Sequence, residues 1–168
     1  MKIVNKNEVN ALETRQKFLS FYLGLKDTAV ISLEHIIEVF QISLMEICAV
    51  PQMPSCVLGT YNWRGEMLWV VDLEEMLGYA PLSDETNLFS KLMAIVLHSE
   101  GKSLGLLVRQ LMDIELLDTT QVKYPESQLF SSEISQFLQG YFINDSEDMA
   151  ISLDASAIVH SPSWKIYN

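Results

Sequence analysis

The chain repeats its own apolar pattern, and this repeat limits the possible folds more than any other feature of the sequence. A shift of 75 positions places Leu19 on Ala94, within the first predicted strand of each half. In the later part of each half the shift is 81 or 82 positions, which pairs Gly59 with Gly140 and Asp72 with Asp154. Because a repeat of this length indicates two copies of one supersecondary unit, we expect two similar halves that share a core.

In the first half, apolar residues alternate along residues 18–25, and this period predicts a β-hairpin. In the second half the matching strand, residues 91–98, is apolar on both faces, which predicts that it is well buried. Residues 18–25 and 29–33 form such a hairpin in the first half, and residues 34–40 fit a short turn of helix. Residues 91–98 and 104–108 repeat the hairpin in the second half. Helical spacing is also present around Ile134, Phe137 and Leu138. The chain is therefore expected to be mainly β.

A second pair of strands follows the first hairpin. Pro51 and Pro54 enforce an extended segment, and residues 57–59 lead from it into the strands. Further on, Arg64-Gly65 is a plausible tight turn because glycine readily adopts a positive φ.

Asp72 then stands where the N-cap of a short helix would be, immediately before Leu73. Gly78 ends this helix, and residues 79–90 resemble a linker. The adjacent acids Glu74 and Glu75 are predicted to lie on a solvated face.

Composition excludes several classes of protein. The chain is 49% hydrophobic and 20% charged, which is typical of a folded domain. Its 22 acidic and 11 basic residues leave a net charge of -11, so neither nucleic acid nor direct membrane insertion is expected. The first residues lack the apolar segment of a signal peptide, and we expect a cytoplasmic protein.

The sequence offers little catalytic chemistry. Its three histidines, His35, His98 and His160, are far apart and follow no metal-ligand spacing. Cys48 and Cys56 match no redox or metal motif, and both are expected to be buried and reduced. We therefore predict no catalytic residue, no metal and no cofactor.

Arg64 stands out because it is a single base in a long uncharged and acidic neighbourhood, with Trp63 and Trp69 nearby. One interpretation is a surface arginine that covers an aromatic side chain. The other is an interface anchor, since arginine and tryptophan dominate interface hot spots. The residues alone leave both interpretations open.

The central part of the chain resembles the signature of CheW-like domains, which are adaptors of bacterial chemosensory signalling. The resemblance covers roughly residues 17–160. Its motif runs through Val50, Pro51, Pro54, Val57, Gly59, Asn62, Arg64, Gly65, Leu68, Val70, Asp72 and Leu73.

The resemblance implies a mainly β fold of two five-stranded SH3-like β-barrels that share a hydrophobic core, with short helices. It also implies a non-enzymatic scaffold in the cytoplasm, recruited to receptor clusters at the inner membrane. Its partners would be the cytoplasmic helical tip of a methyl-accepting chemoreceptor and the regulatory domain of a CheA-type histidine kinase.

By position, the resemblance assigns receptor and kinase coupling to Glu38, Asn62, Arg64 and Gly65. Structural roles are implied for Pro51, Pro54, Gly59, Asp72, Leu73, Gly140 and Asp154. The chain departs from the family at Arg109-Gln110, where many members have an acid, and this puts any partner contact there in doubt.

Alternatives remain open at this stage. The segments 62–66 and 68–72 resemble the branch found with pilus-based twitching motility and phototaxis. A diverged regulator could bind a kinase without a receptor. A small β-barrel enzyme would need polar groups to converge, for instance His35 with Glu38 and Arg64.

The expected domain organisation follows from the repeat and the resemblance. Residues 1–16 are an N-terminal arm, residues 17–160 form one domain, and residues 161–168 are a C-terminal tail. The domain divides into lobes of approximately 17–80 and 91–160, with exchange of strands between the lobes left open.

Overall fold

The computed structural model of the chain describes residues 14–126 and 128–164, which form a mainly β protein with short helices. The α-helices are α1 (Leu73–Met76), α2 (Ser132–Ser135) and α3 (Ala155–Val159), and 3-10 turns lie at Leu33–His35, Leu44–Glu46, Leu82–Asp84 and Thr119–Gln121. The strands are β1 (Arg15–Leu23), β2 (Asp27–Ser32), β3 (Ile36–Ile42), β4 (Val57–Trp63), β5 (Glu66–Asp72), β6 (Leu92–Ser99), β7 (Lys102–Val108), β8 (Leu111–Asp118), β9 (Leu138–Ile143) and β10 (Met149–Leu153).

The strands form two five-stranded sheets with the same internal arrangement. Sheet 1 has the order β8-β1-β2-β10-β9, and sheet 2 has the order β3-β6-β7-β5-β4. Each sheet combines the first hairpin of one half of the chain with the last three strands of the other half. In each, the two parts meet along two pairs of strands. One pair is parallel, β2 with β10 or β5 with β7, and the other is antiparallel, β1 with β8 or β6 with β3. The spatial units are therefore the sheets and not the contiguous segments 17–80 and 91–160.

Each sheet closes on itself at an equivalent place. The chain beyond β3 returns to β4 through the bridge of Cys48 with Thr60, and the chain beyond β8 returns to β9 through Lys123 and Tyr141. A glycine permits the close approach of the backbone at each of these two bridges. A Cβ on Gly59 would lie 2.0 Å from the carbonyl oxygen of Cys48. The equivalent distance from Gly140 to the carbonyl oxygen of Lys123 is 2.5 Å. The predicted class of two five-stranded, barrel-like units is confirmed.

The main hydrophobic core lies between the two sheets. Phe21 and Ile31 contribute to it from sheet 1, and Ile95 and Leu106 contribute from sheet 2, all with no exposed surface. Smaller clusters fill the inside of each barrel, around Val70 in sheet 2 and around residues such as Phe18, Val30 and Phe142 in sheet 1. Burial of this apolar area is the principal force that holds the sheets together.

Matching caps begin α1 and α3. Asp72 Oδ1 accepts the amide of Glu75 at 3.2 Å, and Asp154 Oδ1 accepts the amide of Ala157 at 3.1 Å. Asp72 Oδ2 also accepts the amide of the buried Leu82 at 2.7 Å. The segment 79–90, expected to be a linker, is therefore anchored to the core at Leu82.

Several local predictions are wrong. Residues 34–40 do not form a helical turn, because only the 3-10 turn Leu33–His35 is helical, and Ile36–Ile42 is a strand paired with β6. More buried and more exposed residues alternate along this strand, and cross-strand pairing outweighs the helical spacing of its apolar residues. The helical spacing near Ile134 ends early, since Leu138 already begins β9.

The predicted ends of the domain also differ. Residues 1–13 of the expected arm lie outside the described residues, but Arg15 and Gln16 belong to β1. At the other end, residues 165–168 lie outside the described part. Trp164, expected in a tail, is buried in the main core and donates to the carbonyl oxygen of Ile158 at 2.9 Å. The packed structure therefore extends through Trp164.

Candidate partner-binding site

The turn between β4 and β5 presents Arg64 on a fixed backbone. Trp63 and Glu66 form the last pair of the hairpin, so Arg64 and Gly65 are a two-residue loop. Both have positive φ, 52° and 79°, as a type I′ turn requires. Asn62 Oδ1 accepts the Gly65 amide at 3.0 Å. Asn62 and Gly65 therefore set the conformation of the turn, and Arg64 supplies its charge.

Three side chains converge at this turn. Arg64 Nη2 lies 3.0 Å from Glu38 Oε2, and Trp63 Nε1 donates to the same oxygen at 2.6 Å. The Arg64 guanidinium lies 5.0 Å from the centre of the Trp63 ring, which is within cation–π range. Glu38 and Trp63 thus hold the guanidinium in one orientation, although 63% of the Arg64 side chain is exposed. We call Glu38, Asn62, Trp63, Arg64 and Gly65 the Arg64 site.

Barrel closure brings the members of the site together. Glu38 lies on β3 and Trp63 on β4, and these strands are opposite edges of sheet 2. β3 pairs with β6 along one side, and the contact lies on its other side, where it spans the gap between β3 and β4.

The structure adds Trp63 to the four site residues that the resemblance implied. The sequence signal for Trp63 was its position beside Arg64, but nothing in the sequence links it to Glu38. Trp69, also noted near Arg64, instead packs partly buried against the main core.

The residues given structural roles lie outside the Arg64 site as defined above. Gly59 and Gly140 stand at the two barrel closures, Asp72 and Asp154 at the two helix caps, and Leu73 is buried in the main core. Pro51 and Pro54 lie in the irregular segment before β4, where the Pro54 carbonyl oxygen accepts the amide of Val57.

Arg109 takes part in a partly buried ion-pair network that the sequence did not reveal. Its Nε donates to both Glu74 oxygens, at 2.8 and 2.9 Å, and its Nη2 contacts Glu85. Glu74 Oε1 also accepts the amide of Gly24, in the turn between β1 and β2, at 3.0 Å. The network therefore ties sheet 1 to α1 and to the segment after it.

The protonation of this network follows from burial and pairing. Burial raises the pKa of Glu74, although the bonds from Arg109 oppose the shift. Burial works to lower the pKa of Arg109, but its bonds to Glu74 and Glu85 outweigh this and raise it. The prediction that Glu74 lies on a solvated face is wrong, because its side chain has no exposed surface.

Two further predictions concern reactive groups. Cys56 is buried as expected, but Cys48 is exposed, which corrects the prediction that both are buried. His35 contacts Glu34 at 3.1 Å. Among residues 14–126 and 128–164, no group of three or more His, Cys, Asp or Glu side chains is placed to hold a metal ion. In the same part of the chain, no helix has the length and apolar character needed to cross a bilayer.

Comparison with known proteins agrees with this architecture. A solved structure of the scaffolding protein TtCheW from Thermoanaerobacter tengcongensis matches with a TM-score of 0.73 and 18% identity. The match covers 90% of this chain and 97% of that one, and it supports the same fold.

Sequence comparison identifies the family. A curated relative, described as a probable chemotaxis protein CheW from Rhizobium etli, is 34% identical over 97 residues, which are 58% of this chain. The match spans 59% of that relative's length. The family model for the CheW-like domain matches residues 17–163. The chain therefore belongs to the family of CheW-like domains.

Proposed function

We propose that this protein is a non-enzymatic adaptor in the cytoplasm, which joins the helical tip of a methyl-accepting chemoreceptor to the regulatory domain of a CheA-type histidine kinase. The observation that carries the proposal is the exposed Arg64 guanidinium, held by Glu38 and Trp63 at the position of the family's coupling motif. In this proposal the adaptor is recruited to receptor clusters at the inner membrane and controls motility.

The physical properties of the Arg64 site suit a protein interface. A guanidinium that is already oriented loses little side-chain entropy when it binds. Arginine and tryptophan also contribute strongly to interface hot spots. On a protein with a net charge of -11, Arg64 favours an acidic or polar partner surface at this place. A modest interface is sufficient in a cluster, because several weak contacts act together.

A narrower version of the proposal places the protein in a system that controls pilus-based twitching or phototaxis. It rests on the resemblance of the amino-acid sequences of segments 62–66 and 68–72 to that branch of the family.

Binding measurements with the receptor tip and the kinase regulatory domain from the same genome test the proposal. We expect both to bind the wild-type protein and Arg64→Glu to weaken at least one interaction by about tenfold or more. Lys102→Glu is the matched control, since it makes the same charge change at another exposed hairpin and should alter binding by only about twofold.

Each outcome has a definite meaning. Binding of the kinase without the receptor would support the diverged regulator instead. The adaptor proposal fails if the folded protein binds neither partner. If Arg64→Glu and Lys102→Glu have equal effects, the Arg64 site is not the interface, and net charge explains the loss.

A further inference from the structure

The equivalent of the Arg64 site in sheet 1 lacks the bridging cation. A shift of 75 positions places Glu38 on Asp113 of β8, and the β9–β10 turn corresponds to the β4–β5 turn. Asn144 donates its amide to the carbonyl oxygen of Asp148 at 3.0 Å, so the loop has three residues, Asp145, Ser146 and Glu147. This loop contains two acids in place of Arg64-Gly65 and has no base.

A groove lies between β8 and this turn. It is a cavity of about 740 Å³, lined by residues of both elements and by the ends of β1 and β2. Four large apolar side chains that are more than a third exposed line it: Met112, Leu116, Ile143 and Met149. A concentration of exposed apolar side chains around one cavity marks an interaction site.

Acidic side chains surround these apolar groups. Glu115 lines the groove from β8, and Asp145 and Asp148 line it from the turn. None of these three carboxylates has a hydrogen bond or ion pair with another residue of the described chain, unlike Asp118, which binds Thr120. Two bases, Arg15 and Lys26, also line the groove, but its acids outnumber them, since Asp27 and Asp118 line it as well. Charge complementarity therefore selects a cationic occupant.

We propose that this groove binds a basic segment of a partner protein, in which apolar side chains alternate with lysine or arginine. The apolar side chains of the segment would contact Met112 and Leu116, and its cations would pair with Glu115 and Asp148. This proposal goes beyond the adaptor function described above, because it assigns a second binding surface, on the other sheet, that does not include Arg64.

Three synthetic decapeptides and the full-length protein test the proposal by fluorescence anisotropy. One alternates leucine with lysine, the second alternates serine with lysine, and the third alternates leucine with glutamate. We expect the leucine–lysine peptide to bind about tenfold more tightly than the serine–lysine peptide, and the leucine–glutamate peptide not to bind. Equal binding of the first two, or no binding of the first, would overturn the proposal.

Two double variants distinguish the effect of the acids in the groove from the effect of the protein's net negative charge. Glu115→Gln with Asp148→Asn should weaken binding of the leucine–lysine peptide by about tenfold. Glu147→Gln with Asp84→Asn removes the same charge outside the groove and should change binding by about twofold or less. Equal losses in the two pairs would contradict the proposal.

An apolar substitution gives an independent check. Leu116→Lys places a cation in the groove at an exposed position, so the protein should fold and lose binding of the leucine–lysine peptide. Retained binding in this variant, with a wild-type circular dichroism spectrum, would also contradict the proposal.

Discussion

Arg64 and Glu38 form an ion pair across the two edges of sheet 2, with 3.0 Å between Nη2 and Oε2. Arg64 adopts a positive φ of 52°, a conformation that costs a residue with a Cβ about 1 kcal/mol. The cation of the Arg64 site is therefore placed at a strained position, where asparagine would be the better turn residue.

This relationship predicts that one substitution at Arg64 weakens binding and leaves stability nearly unchanged. Arg64→Asn should leave the free energy of unfolding within about 1 kcal/mol of wild type, because relief of the turn offsets loss of an exposed ion pair. Binding of the proposed partners, the kinase domain or the receptor tip, should fall by about tenfold. Urea unfolding and calorimetric titration measure the two quantities. A large loss of stability would show that Arg64 is structural.

Gly59 is expected to be indispensable for barrel closure. In Gly59→Ala the new Cβ would lie 2.0 Å from the Cys48 carbonyl oxygen, at a φ of 143°. We expect a loss of about 4 kcal/mol or more, or no folding. Gly101→Ala is the control, because its φ is also positive but no atom lies within 4 Å of the new Cβ. It should cost about 1 to 2 kcal/mol in thermal or urea unfolding.

The network around Glu74 predicts a strong, recoverable destabilisation. Arg109→Met leaves the fully buried Glu74 without its cation and should cost about 3 to 5 kcal/mol. Adding Glu74→Gln should recover much of this loss, since glutamine still accepts the Gly24 amide without a buried charge. Arg64→Met, which breaks an exposed pair, should cost less than about 1 kcal/mol. Urea unfolding of Arg109→Met, Glu74→Gln, their double variant and Arg64→Met decides the matter, and additive losses in the double variant would contradict the prediction.

Stability should rise as the pH falls from 7 towards 5. Burial raises the pKa of Asp72, against the opposing bonds from the amides of Leu82 and Glu75. A carboxyl with a raised pKa in the folded state favours folding below its unfolded pKa, and this contribution is lost as the pH rises through the folded pKa. Relief of repulsion in a chain of net charge -11 acts in the same direction.

Melting temperatures across this pH range test the prediction. Asp72→Asn should lower the melting temperature but flatten its dependence on pH. Asp154→Asn, the equivalent cap in the second half, is the matched control and should keep more of the dependence. An unchanged slope in Asp72→Asn would exclude Asp72 as a source.

The two cysteines should differ sharply in reactivity. Burial, with a further contribution from Glu75, raises the pKa of Cys56 to about 11, whereas Cys48 is exposed. Because the thiolate is the reactive form, a thiol reagent at pH 8 should modify one cysteine rapidly and the second only after unfolding. Cys48→Ser should abolish the rapid phase. Rapid modification of both cysteines would mean that the region around Cys56 opens easily.

Local patterns in the sequence predicted much of the secondary structure. Alternation identified the first hairpin and a continuous apolar run the second, and an aspartate before each helix identified the caps of α1 and α3. Alternation did not identify β3, because its apolar residues also fit a short turn of helix. The Arg64 turn was predictable from Arg64-Gly65 alone, since a two-residue loop needs no distant partner.

Contacts between distant segments were not predictable in this way. The burial of Glu74 depends on Arg109, 35 residues further along, and on a turn in the other sheet. Similarly, Cys48 is exposed and Trp164 is buried because of where the folded chain places them.

The sequence by itself determined that the chain is mainly β, that its two halves repeat one pattern, and where several turns and caps lie. Only the tertiary structure decided that each sheet combines strands from both halves, because strand pairing depends on register and packing between segments far apart in the chain. The same long-range packing brings Glu38 to Trp63 and Arg64, and it leaves the groove of sheet 1 without an equivalent bridge.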